Sequence, residues 1–113
     1  MTTWLTRVFS CLPRRGATRL FDLDVLDQWI VATLGRFGAC TYRRIEAELR
    51  AIRAAAPAEV VASLLGLEQA GLVQRVDPTG LMLAERRFQL TRSGARLARL
   101  LPAEPRSPTI FYV

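Results

Sequence analysis

Residues 57–76 read Pro57-Ala58-Glu59-Val60-Val61-Ala62-Ser63-Leu64-Leu65-Gly66-Leu67-Glu68-Gln69-Ala70-Gly71-Leu72-Val73-Gln74-Arg75-Val76. Proline suits the first position of a helix, where its missing N–H would have no partner in any case. Glycine suits the position just past the last turn, where the chain goes left-handed. Between them Val60, Val61, Leu64, Leu65 and Leu67 share one arc of the helical wheel, and that arc is the expected buried side. A short strand over 72–76 follows without a spacer. Asp77-Pro78-Thr79-Gly80 has the residues of a tight turn at its first, second and fourth positions. The returning strand is expected over 82–90, with Phe88 and Leu90 on one face and Arg87 and Gln89 on the other. A helix that runs straight into a hairpin organises the chain.

Two helices are expected before it. The first covers 21–34, capped by Asp22 or Asp24, with Leu23, Leu26, Trp29, Ile30 and Leu34 on its apolar face and Gly35 as C-cap. Arg36-Phe37-Gly38-Ala39-Cys40 is a turn with Gly38 as its breaker. Thr41 caps the second helix, over 42–54, which buries Ile45, Leu49 and Ile52. Downstream, Thr91 caps a last helix over 92–101, and Pro102 stops it. The fold class is mainly α (α+β), a winged helix-turn-helix with a two-stranded β-hairpin wing. Residues 21–101 form this domain, with 1–20 and 102–113 as flanks.

Both flanks carry apolar residues that need cover. Trp4, Leu5, Val8, Phe9 and Leu12 recur at helical spacing and lead into a basic linker from Pro13 to Arg19. Docking on the domain or on a second subunit is the favoured expectation for this amphipathic segment. Contact of residues 1–19 with an anionic membrane surface is the lesser one. The other end, Thr109-Ile110-Phe111-Tyr112-Val113, is β-prone and apolar, and is expected to pair with a sheet edge or pack on a partner.

The chain has 113 residues, a net charge of +6 and a pI near 10.9. That charge suits nucleic acid, an anionic surface or an acidic partner. All 16 basic residues are arginine, a bias that GC-rich coding explains as well as phosphate recognition does. The charge is unevenly spread: 35–57 and 72–99 are basic, whereas 21–34 and 58–71 are acidic. The helix at 57–71 is thus locally acidic in a basic chain. There is no histidine, and Cys11 and Cys40 lack metal-ligand spacing. Free thiols in a reducing, cytoplasmic setting are expected. No Gly-rich phosphate loop, acidic metal cluster or nucleophile beside a general base is present, so no catalytic, metal or cofactor site is assigned and no enzyme is expected.

Leu67-Glu68-Gln69-Ala70-Gly71-Leu72-Val73, followed by a hairpin and Arg87-Phe88-Gln89-Leu90-Thr91-Arg92-Ser93-Gly94, resembles the PadR-like and MarR-like winged-helix transcriptional regulators. The resemblance covers about residues 22–101. It implies a DNA-binding regulator, a homodimer, a recognition helix at 57–71, and a structural pairing of Glu68 with Arg87. The expected partners are double-stranded DNA together with a second copy or another protein.

The exposed face of the central helix departs from that family pattern. Ala58, Glu59, Ala62, Ser63, Gly66, Gln69 and Ala70 occupy it, whereas base edges are normally met by Arg, Lys, Asn or Gln. Gln69 is its one strong reader, at the far end, and Ser63 a weak one. Arg43, Arg44, Arg75 and Arg86 are the candidate phosphate contacts. The alternative is a protein-interaction module. Its contact residues would be Trp4, Phe9, Ala58, Ala62, Gly66, Leu81, Met82 and Phe111, drawn from the small-residue helix face, the apolar wing tip and the two ends.

Overall fold

A computed structural model describes residues 19–52, 55–76, 82 and 85–112. The elements, in chain order, are β1 (Leu20–Leu23), α1 (Val25–Phe37), β2 (Cys40–Thr41), α2 (Tyr42–Ile52), α3 (Pro57–Gln69), β3 (Val73–Arg75), β4 (Arg87–Leu90), α4 (Arg92–Leu100) and β5 (Thr109–Tyr112). The expected stripe Trp4–Leu12 and the wing tip with Leu81 lie outside the described residues.

Helix α1 is the hub, packing against α2, α3, α4 and β4. Asp24 caps it: its side chain accepts from the Asp27 N–H at 2.7 Å, and the Asp27 carboxylate accepts from the Asp24 N–H at 3.3 Å. That reciprocal pair satisfies two donors that a helix start leaves open. Ile30 and Val31 are fully buried, and so is the polar Gln28, which periodicity alone did not place inside.

The helix starts later and ends later than expected. Residues 20–23 form strand β1, and α1 runs past Gly35 to Gly38, whose φ of 77° needs glycine. Gly35 instead gives α4 room, since a Cβ there would stand 3.1 Å from that of Ala98. Helix α2 starts as expected, with the Thr41 hydroxyl accepting from the Arg44 N–H at 3.1 Å. It buries Ile45 and Leu49, whereas Ile52 is exposed near its end.

Two small sheets complete the domain. The β3–β4 pair forms the expected two-stranded wing, with Val73 opposite Leu90, and β2 extends it to a three-stranded sheet in the order β2-β4-β3, with Cys40 opposite Phe88. Its third strand is the two-residue β2. The other sheet joins the two ends of the chain: β1 and β5 pair antiparallel, with Leu20 opposite Tyr112 and Phe21 opposite Phe111. The C-terminal pentapeptide thus meets a strand of the same chain. Phe111 is correspondingly buried on the inner face with Phe21 and Leu23, which corrects its expected place on a partner surface; the pleat turns Ile110 and Tyr112 outward instead.

Candidate nucleic-acid interface

The helix-turn-helix is built from α2 and α3. Tyr42, at the first position of α2, is buried; its hydroxyl donates to Glu46 at 2.9 Å and lies 3.3 Å from the carbonyl oxygen of Pro57. This side chain joins the start of α2 to the start of α3. Burial and the Glu46 carboxylate push its hydroxyl up to about 12, so it stays a donor throughout the physiological range.

Helix α3 begins as the sequence dictates. Pro57 takes the first position, and the Glu59 carboxylate accepts from the Ala56 N–H at 3.2 Å. Its end is a Schellman turn: Leu72 N–H donates to Leu67 O and Gly71 N–H to Glu68 O, both at 3.0 Å, with Gly71 at φ 83°. Val60, Leu64 and Leu67 are buried and Val61 is half-buried, but Leu65 is exposed. Val61, Leu64 and Leu65 line a hollow of about 220 Å³ with Arg75, Arg86 and Phe88, where the helix meets the wing.

The outer face of α3 presents Ala58, Glu59, Ala62, Gly66 and Gln69 to solvent, while Ala70 turns in against the core. Its N-terminal end is acidic. Asp24 and Glu59 line a hollow of about 440 Å³ with Ala62, Ser63 and Pro108, and the half-buried Asp27 interacts with two of these residues, Asp24 and Ser63. Burial, and then the neighbouring Asp24 carboxylate, raise the Asp27 carboxyl from 3.8 to about 6, with the Ser63 hydroxyl working the other way. Ser63 thus lines this hollow and interacts with Asp27 of α1. Sequence reading missed this cluster, although the Asp24-x-x-Asp27 capping pattern signals half of it.

The candidate phosphate contacts divide into two groups. Arg43 and Arg44 sit together on the exposed first turn of α2. Arg43 makes no ion pair among the described residues; the Arg44 guanidinium lies 4.5 Å from the Phe37 ring centroid and 3.8 Å from Glu48. Arg75 is held by Glu68 through a forked contact, with N–O distances of 3.0 and 3.2 Å. Glu68 thus pairs with Arg75 across the α3–β3 turn. Arg86 is half-buried, and its carbonyl oxygen accepts from the Tyr42 N–H at 2.9 Å. Of the wing tip, Met82 is described and is 75% exposed.

Among the described residues no group of three or more His, Cys, Asp or Glu could hold a metal ion. Cys40 is buried, which raises its thiol pKa. Among the same residues no helix is long and apolar enough to cross a membrane.

No protein-family model matches the chain, and no curated protein matches it. Two solved structures of ZitR from Lactococcus lactis, both of a C30AH42A mutant, are similar in fold. One, in apo form, has a TM-score of 0.54 at 20% identity and covers 66% of this chain and 52% of its own. The other has a TM-score of 0.56 at 16% identity and covers 88% and 68%. The chain therefore spans about half the length of the first and about two thirds of the second. The helix-turn-helix of α2 and α3, the wing sheet beside it and these two likenesses together make the fold a winged helix.

Proposed function

We infer that the chain is a winged-helix DNA-binding protein, a transcriptional regulator of the PadR-like or MarR-like kind, acting in the cytoplasm as a homodimer. It holds DNA through arginine–phosphate contacts. The observation that carries this is the exposed Arg43–Arg44 pair on the first turn of α2, next to Tyr42, whose hydroxyl reaches the start of α3. Guanidinium groups suit phosphate, and a charge contact of this kind gives affinity without sequence choice. Helix α3 adds little base reading, because Ala58, Ala62 and Gly66 carry no hydrogen-bonding side-chain groups and Glu59 repels the backbone. Arg75 joins the contact only if it leaves Glu68.

The test is a titration of duplex DNA at several salt concentrations. The slope of log K against log salt should be steep, and replacing Arg43 and Arg44 by alanine should lower it by about 2. Absence of binding at low salt overturns the inference.

A second reading is favoured by the acidic end of α3. Asp24 and Glu59 repel phosphate but suit a basic segment of a protein partner, with Ala62 leaving room for close approach. Under that reading the fold serves as an interaction module, and DNA fails to compete with the partner.

A further inference from the structure

The basic surface does not end at Arg43 and Arg44. Phe37, the last residue of α1, has two guanidinium groups at its ring: Arg44 stands 4.5 Å and Arg36 5.4 Å from the centroid. The two guanidinium carbons are therefore within about 10 Å of each other, the rise of about three nucleotides along one strand. An aromatic face attracts a cation without neutralising it, so both groups are oriented and keep their charge for an anion.

Arg36 belongs to a second place as well. With Gln89 and Arg99 it lines a hollow of about 650 Å³ where the end of α1 meets β4 and α4. Gly35, Ala95 and Ala98 keep that hollow open, and no acidic residue lines it. Among the described residues neither Arg36 nor Arg99 makes an ion pair or a side-chain hydrogen bond, so their donors are open. On α4 the exposed Arg92, Arg96 and Arg99 fall within an arc of about 60°. That helix has no acid. The hollow at Asp24 and Glu59 has the opposite sign, so the surface that suits an anion runs toward α4 and away from the start of α3.

We propose that the DNA backbone contact extends beyond α2: a phosphate track runs from Arg43 and Arg44 past Phe37 to Arg36, then along the α1–α4 hollow to Arg99 and Arg96. This rests on the DNA-binding reading above and adds a second stretch of contact to it. Gln89 lies on the same stretch, and its amide suits a phosphate oxygen. These contacts steepen the salt dependence and read no bases.

Titration of a random duplex of about 30 base pairs at several salt concentrations tests this. Arg36→Gln with Arg99→Gln should lower the slope of log K against log salt by about 2, and by about 4 when combined with Arg43→Ala and Arg44→Ala. Arg50→Gln with Arg106→Gln removes the same charge from outside the track and should change the slope by less than about half a unit. Ala95→Glu removes no arginine but puts an acid at the hollow, and should weaken binding at low salt by about tenfold. Should the Arg36–Arg99 variant fail to fold, Ala95→Glu decides alone. A slope that falls with Arg43 and Arg44 but not with Arg36 and Arg99 overturns this proposal and leaves the DNA reading standing. So does an equal fall from the Arg50–Arg106 pair, or full-strength binding by Ala95→Glu. A parent chain that binds no duplex at low salt overturns both, and polyglutamate held through Arg36 and Arg99 would then assign the surface to an acidic protein.

Discussion

Gly94 lies directly beneath the carbonyl oxygen of Leu72, with no room between them for a methyl group. The same carbonyl accepts from the Thr91 N–H at 3.0 Å, and the Thr91 hydroxyl, which caps α4, donates to Gly71 O. The end of α3 and the start of α4 are thereby clamped to each other backbone to backbone. A Cβ at position 94 also crowds the Leu90 side chain, and because the main obstruction is backbone, the helix itself must shift. Gly94→Ala should therefore destabilise the domain by about 1–3 kcal/mol. Denaturant unfolding checks it: the midpoint should fall while the slope stays constant.

The second prediction concerns Gln28, the buried polar residue of α1. Its amide nitrogen donates to the Ser107 carbonyl at 2.8 Å and the Leu23 carbonyl at 3.3 Å, tying both strands of the β1–β5 ribbon to the hub helix at the Leu23–Thr109 end. Its own Oε1 has no hydrogen-bond partner among the described residues. Gln28→Leu removes that unpaired oxygen but leaves two carbonyls without their donor. The net loss should be about 1–3 kcal/mol, and amide exchange in residues 109–112 should quicken more than in α3.

What the residues disclosed beforehand was what local signals control. Pro57, Gly71, Thr41 and Thr91 mark helix ends through their own backbone chemistry, so α2, α3 and α4 started where expected. Strand β1 was read as helix because Leu23, Leu26, Ile30 and Leu34 keep helical spacing right through it. Only β5, at the opposite end of the chain, makes residues 20–23 a strand, and no local pattern reveals a partner so distant. The site shows the same limit. Arg43 and Arg44 were legible as exposed charge, whereas the engagement of Arg75 by Glu68 and of Ser63 with Asp27 depends on how the elements are brought together.

The third prediction is a pH dependence. Asp27 titrates at about 6 in the folded chain, against 3.8 for an unperturbed carboxyl, chiefly through burial and then through Asp24. Between those values the folded chain holds a proton that the unfolded chain has released. Stability from this group is therefore fullest below the unfolded value, falls as pH rises through the window, and is flat above the folded value. Asp27→Asn keeps an acceptor for the Asp24 N–H and removes the ionisation. It should raise stability at pH 7 by on the order of 1 kcal/mol, allowing for solvent screening, with little effect near the unfolded carboxyl pKa. Thermal melts of both proteins across that range check the sign: the difference between them must grow with pH.

The last prediction returns to α3. Gly66 sits inside the helix on its open face, with nothing within 4 Å of where a Cβ would stand. Glycine there costs helix stability and gives no packing in return, so Gly66→Ala should stabilise the domain by about 0.5–1 kcal/mol. A lower melting temperature would mean that the surface is not open. Gly66→Leu, which also fits the open space, separates the two functional readings. If α3 serves mainly to place the Arg43–Arg44 pair beside DNA, leucine at 66 leaves the salt slope unchanged, because no phosphate contact is removed. If Ala58, Ala62 and Gly66 receive a partner, the same leucine holds the two surfaces apart and abolishes the complex while the far-UV spectrum stays intact. Sedimentation and a DNA titration on that one variant decide between a helix that positions arginines and a helix that binds protein.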